Sequence, residues 1–267
     1  MSIQALYTAA TGMNSLSTKL DVTSNNLANV NTTGFKRSKT DFQDLFYRNL
    51  KLPGYQDQLG NLTPTGIAIG LGTRVSATQT DFTQGSFNET GGQLDLAISG
   101  NGFFQILDPS GQIYYTRAGN FSINSNGQIV TSSSIDGRPL QPAITIPQDS
   151  TGIVIGNNGL VQYQQFNTTQ LSQAGQIQLA WFQNPEGLLK LGESLYQATQ
   201  ASGVPLLNNP GLQGMGTIQQ GMLEQSNVEP VTELIDLITT QRAFELNSQM
   251  VQAGDQILQL VANLRRY

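Results

Sequence analysis

Neither cysteine nor histidine occurs anywhere in the 267 residues. Without them the chain can form no disulfide, no Cys/His zinc site, no thiolate nucleophile and no Ser-His-Asp or Cys-His relay. Paired carboxylates, Ser–Lys pairs and all-oxygen metal sites are the catalytic routes left. Charge is also scarce: Lys, Arg, Asp and Glu make up 12 % of the chain, about half the usual share of a globular domain. The net charge of −5 offers no basic footprint for nucleic acid. No apolar run approaches the ~18 residues of a membrane span. Residues 1–18 contain no Lys or Arg, and Gln4, Thr8, Thr11 and Asn14 interrupt any apolar stretch there. They do not make a secretory signal, so export is expected to proceed without a Sec-type leader.

What fills the chain instead is Asn, Gln, Ser, Thr and Gly, a surface that hydrogen-bonds well and repels its own copies weakly. Helical periodicity is confined to the two ends. Ile3, Leu6, Ala10, Met13, Leu20 and Leu27 recur at steps of three and four, the a/d pattern of a helix with one apolar seam. About 28 such residues at ~1.5 Å each would extend roughly 40 Å. The Asn-rich run 25–31 and Gly34 then supply a stop. At the other end Ser226 and Asn227 are candidate caps, with Pro230 tolerated in the first turn and Arg265 and Arg266 placed at the favourable end of the dipole. Ala243, Leu246, Met250, Ala253, Ile257, Leu260 and Leu264 form one stripe of this second helix. Leu237, Phe244, Val251 and Leu258 form another. One partner helix covers one seam, so the other seam calls for a further partner, or else the helix is buried in a core.

The stretch between reads as short strands punctuated by turns. Leu94–Ile98, Phe103–Leu107, Gln112–Thr116, Gln128–Thr131, Ala143–Ile146, Ile153–Ile155, Leu160–Phe166 and Ile177–Phe182 are strand-like, with Asn157–Gly159 as a hairpin turn and Trp181 and Phe182 as core anchors. Residues 46–90, broken by Pro53-Gly54, Gly60, Pro64, Gly66, Gly70 and Gly72, stay open between a hairpin and an extended arm. The expected class is α+β. Terminal helices at 1–31 and 226–267 pair in a coiled-coil-like way, residues 32–93 and 200–225 form a linker or extended β region, and 94–199 form a mostly-β domain.

Searches for chemistry find little. "GLGT" at 70–73 and "GNGFF" at 100–104 lack the GK[ST] ending and the strand–loop–helix setting of a phosphate loop. Asp41/Asp44 and Asp95/Asp108 are the carboxylate pairs a glycan hydrolase would need, and chance supplies such pairs among 18 acids. Sequons at Asn31, Asn61, Asn88, Asn120 and Asn167 follow from Asn and Thr richness. Lys36, Arg37 and Lys39 beside a turn read as solvated charges. The residues thus predict no enzyme, cofactor or metal.

The run Ser24-Asn25-Asn26-Leu27-Ala28-Asn29 followed by Thr33-Gly34-Phe35-Lys36-Arg37 resembles the N-terminal signature of bacterial flagellar rod and hook proteins. "SNVEPVTELIDLITTQRAFELNSQMV" (226–251), with Gln241, Arg242 and Ala243, resembles the signature at the other end of that family. "LAISGNGFFQI", "YTRAGNFSINSNGQIVT", "QPAITIP" and "GLLKLGESLYQAT" are similar to its β domain, and length is most like the distal-rod members. The resemblance implies a structural subunit that stacks helically into a drive shaft crossing the periplasm and carrying motor torque to the hook. It also implies type III export and contacts with proximal rod subunits, hook protein and surrounding rings, without membrane insertion. Another rod or hook subunit is the alternative within the family. A secreted adhesin or a carboxylate-dependent glycan hydrolase are the alternatives outside it.

Overall fold

The computed structural model describes residues 3–54, 64–133, 137–166 and 170–264, with the side chains of Ile3 and Leu264 excepted. Gly60, Asn61, Asn167, Arg265 and Arg266 lie outside the described residues. The chain is α+β and divides into two compact units: Met1–Leu27, Ser38–Gln79 and Glu229–Tyr267 in one, Ala28–Arg37 and Thr80–Val228 in the other.

The first unit contains both long helices, α1 (Ile3–Ala28) and α2 (Pro230–Leu264). Pro230 opens α2, where its missing N–H costs nothing and its fixed φ suits the first turn. The helices lie against each other and run antiparallel. Asn26 hydrogen-bonds Glu233, Gly12 lies beside Asn247, and the Leu6 side chain lies over Gly254. The seam is made of small and polar residues: Thr23 and Asn26 on α1 and Glu233, Thr240 and Gly254 on α2 are all buried. Glycine at 254 is what lets Leu6 approach the α2 backbone, since a Cβ there would collide with it.

The same unit carries a ribbon of β1 (Ser38–Asp44), β2 (Tyr47–Lys51), β3 (Ile67–Gly70) and β4 (Thr73–Thr80). β1 pairs with β4 and β2 with β3, the latter antiparallel with Tyr47 opposite Gly70. The glycine-broken stretch left open above therefore includes a hairpin. α1 holds its base through Ser15 Oγ, which donates to the Thr73 carbonyl at 3.4 Å. Beyond the base nothing in this unit covers it, and all five residues of β2 are exposed.

The second unit is built from short strands: β5 (Phe87–Glu89), β6 (Leu96–Ser99), β7 (Phe103–Leu107), β8 (Ile113–Thr116), β9 (Phe121–Ile123), β10 (Ile129–Thr131), β11 (Leu140–Gln141) and β12 (Ser150–Ile155). β13 (Leu160–Gln165), β14 (Leu171–Gln176), β15 (Leu179–Trp181), β16 (Leu189–Gly192), β17 (Leu195–Gln197), β18 (Leu206–Asn208), β19 (Thr217–Gln220) and β20 (Met222–Glu224) follow. The main sheet has the order β16-β17-β8-β7-β15-β18, with β11 also on β7. Strand alternation sends successive side chains to opposite faces, and both faces are buried here. Phe104 and Leu179 join a cluster with Leu96, Ile98 and Ile129. Phe103 and Ala180 join another with Tyr115, Phe182 and Tyr196. Trp181 and Phe182, expected together in one core, accordingly pack on different sides.

Three expectations need correction in detail. Ala143–Ile146 is not a strand but makes an isolated bridge at Thr145, while Ile144 and Ile146 are buried by the turn they cross. Residues 200–225 are no simple connector, because β18, β19 and β20 pair with β15, β6 and β5. Asn227 does not cap α2. Its side chain accepts from the Arg37 N–H at 2.8 Å and donates to the carbonyls of Asp81 and Thr83.

Candidate assembly surface

On α2 the two stripes read from the sequence part company. Leu237, Phe244 and Val251 are half-buried on the side turned to α1, along with Ala243 and Ala253. Leu246 (64 % exposed), Met250, Ile257, Leu258 and Leu260 are open. Val231, Leu234, Ile235, Ile238 and Val261 extend this exposed surface, so ten large apolar side chains of one helix stand in solvent. An isolated apolar residue at a surface is ordinary, but a contiguous row along a helix marks a binding face. The sequence reading missed the first four of these because they precede the heptad run. On α1, Leu6, Met13, Leu20 and Leu27 are half-buried and Ala10 is exposed. Ile3 and Leu264 contribute only backbone positions to this description.

The motif residues behave differently. Asn26 is 2 % exposed and joins three segments. Its amide oxygen accepts from the Ser38 N–H at 2.9 Å. Its amide nitrogen donates to the Ser38 carbonyl at 2.8 Å and to Glu233 Oε2 at 3.4 Å. Asn25 and Ala28 are exposed and Leu27 half-buried. Asn29 closes the turn after α1 by accepting from the Thr32 N–H and hydroxyl.

Lys36 overturns the expectation of a solvated charge. It is fully buried, donating to Glu224 Oε1 at 2.6 Å and to the Thr83 carbonyl at 2.7 Å. Arg117 reaches the other carboxylate oxygen of Glu224 at 3.5 Å, and the Gly85 N–H adds a third kind of donor. Burial lowers the Lys36 pKa, and the neighbouring Glu224 works against that. Arg37 pairs with Asp81 at 3.1 Å, and Lys39 stays exposed, 3.8 Å from Asp41. Gly34, with φ of 67°, donates to the Glu224 carbonyl and passes so close to Ala118 that a Cβ would lie 2.5 Å from its nitrogen. Phe35 is buried beneath the Lys190 ammonium, 4.3 Å from the ring centre. Gly34-Phe35-Lys36 thus closes the base of the β unit. Gln241 and Arg242 are exposed on α2, with half-buried Ala243 next to them.

The carboxylates considered for catalysis are engaged locally. Hydrogen bonds from Ser110, and then Arg138, hold the Asp108 carboxyl below the usual range, opposite to what a general acid at neutral pH needs. Asp95 accepts from the Thr90 hydroxyl. Among the described residues no group of three or more Asp and Glu is placed to hold a metal. No helix among them is long and apolar enough to cross a membrane.

Family profiles match three parts of the chain. They are "Flagella basal body rod protein" over residues 6–36, "Flagellar hook protein FlgE/F/G D1 domain" over 97–163, and "Flagellar basal body rod FlgEFG protein C-terminal" over 219–264. The chain belongs to the flagellar basal-body rod and hook protein family. It is similar to the flagellar basal-body rod protein FlgG of Caulobacter vibrioides, 47 % identical over 98 % of this chain and 100 % of that one. The Borreliella burgdorferi protein of the same name is 40 % identical over 99 % of both chains. The flagellar hook-basal body complex protein FlhP of Bacillus subtilis is 31 % identical over 98 % of this chain and 100 % of its own.

Proposed function

We propose that the chain is the distal-rod subunit of the flagellar basal body, a non-enzymatic building block that polymerises helically into the shaft between the proximal rod and the hook. In this reading α1 and α2 form the inner core and the β unit the outer layer. The observation that carries it is the row of exposed apolar residues on α2, Leu246, Met250, Ile257 and Leu260 among them. Full burial of such a side chain contributes roughly 1.5–3 kcal/mol. Ten partly exposed ones hold on the order of 10 kcal/mol, comparable to the ~4–15 kcal/mol that association costs in lost freedom. Neighbouring copies are the natural source of that burial in a family of axial proteins. Full-length similarity to rod proteins named FlgG supports the rod over the hook assignment; another axial subunit of the family is the alternative.

Torque then passes through many small helix contacts between copies. Export by the flagellar type III apparatus, residence in the periplasm, and contacts with proximal rod, hook and rings belong to the same reading. Electron microscopy of the concentrated protein, with and without residues 1–31, tests it. Straight tubes lost on truncation, and lost equally in Leu246→Asp or Ile257→Asp chains whose β unit still melts cooperatively, are expected. A motile strain carrying either substitution would refute the packing role.

A further inference from the structure

The seam between α1 and α2 is the wrong one by hydrophobicity alone. Each polar or small seam residue of α2 has an apolar neighbour one position earlier: Leu246 precedes Asn247 and Ala253 precedes Gly254. Turning α2 about its axis by about 100°, one residue's step, would face Leu246, Met250 and Leu260 toward α1 and send Glu233 and Asn247 outward. That facing would bury the row which now stands in solvent. Simple amphipathic packing selects it, and the structure does not adopt it.

We propose that the buried Asn26–Glu233 contact determines which face of α2 turns to α1, and so keeps the apolar row outward. Asn26 is fixed independently of α2, because both polar atoms of its amide are engaged by the Ser38 backbone. Its remaining N–H points at Glu233 Oε2, and both side chains are buried, at 2 % and 5 % exposure. In the turned arrangement that donor would lose its carboxylate, and a buried unpaired polar group opposes the change strongly. A single polar contact in an otherwise apolar helix pair is known to select register and partner at a cost in stability. Here it selects facing. Asn26 and Glu233 are positioning residues and need not touch a neighbouring copy. The proposal rests on the assembly reading for its purpose, but it concerns the single chain.

The absence of native cysteine makes the facing readable by cross-linking. Gly12→Cys/Asn247→Cys reports the observed seam, where the two positions already adjoin. Met13→Cys/Leu246→Cys, at the same height, reports the turned one. In dilute, monomeric protein the first pair should oxidise and the second should lag. Introducing Glu233→Ala, which leaves the Asn26–Ser38 docking in place, should shift the ratio of the two rates by about tenfold or more toward the turned pair. Glu233→Gln, whose amide oxygen still accepts, should restore it. An unchanged ratio in the Glu233→Ala chain, with helicity retained, overturns the proposal. If that chain loses its helices, the Glu233→Asp chain decides instead: its shortened acceptor should give an intermediate ratio, and a native ratio overturns the idea. Sedimentation of the concentrated protein reports assembly separately, so failure of the rod reading leaves the facing result intact.

Discussion

Replacing Glu224 by alanine should be among the most damaging single changes to the β unit. The carboxylate is fully buried, 2.6 Å from Lys36 Nζ and 3.5 Å from Arg117 Nη1, and it also accepts from the Gly85 N–H at 3.1 Å. Removing it leaves two buried cations facing each other and an amide without its acceptor. Breaking a buried ion pair from one side costs about 3–5 kcal/mol. For a unit of this size each kcal/mol moves the melting temperature by about 2–4 °C, so a drop of roughly 6–20 °C is expected. Near-ultraviolet dichroism and Trp181 fluorescence during thermal unfolding would follow it. The loss should shrink as pH rises toward the ordinary lysine value of 10.5. Lys36 without its counter-ion binds its proton more weakly folded than unfolded, so stability increases with pH across that window. Lys36→Met is the control: Glu224 keeps Arg117 and Gly85, and the cost should be less than half as large. A Glu224→Ala chain within about 1 kcal/mol of the parent would refute this account of the cluster.

Gly34→Ala meets both a positive φ and the Ala118 backbone at 2.5 Å, and should cost about 3 kcal/mol or more in urea unfolding; a neutral result would mean the turn can be rebuilt. Asn227→Ala removes hydrogen bonds to Arg37, Asp81 and Thr83, and a loss of about 2–4 kcal/mol is expected from the same titration. Burial opposes ionisation of Asp81, but hydrogen bonds from Thr83 and Arg37 outweigh it and lower its pKa below 3.8. Its contribution is therefore present above the ordinary carboxylate value and lost as pH falls through the lower folded one. Asp81→Asn should flatten that part of the acid unfolding curve, and an unchanged curve would assign the acid loss elsewhere.

Helical elements were legible because their periodicity is local: the a/d steps mark α1 and α2 to within a few residues of their observed ends. Strands with continuous apolar runs, such as Phe103–Leu107, were equally plain. What escaped was chemistry set by distant partners. Lys36 looks like any charge beside a turn until Glu224, 188 residues away, is folded onto it. Asn227 has the side chain of a cap, and the atoms that would cap a helix instead hold two other backbone segments. The seam of the helix pair was misread by one position on α2 for the same reason. A hydrophobic pattern identifies the stickiest face, and here a buried amide–carboxylate contact turns a less sticky face inward.

The distance in sequence between Lys36 and Glu224 also constrains time. Closing a loop of 188 residues costs about 5 kcal/mol of chain entropy on a logarithmic scale, and neither cation is neutralised until that loop is shut. A chain that appears amino end first exposes Lys36 early and its counter-charge nearly last. The base of the β unit cannot close on any partial length, so an incomplete chain stays open and threadable until almost all of it is available.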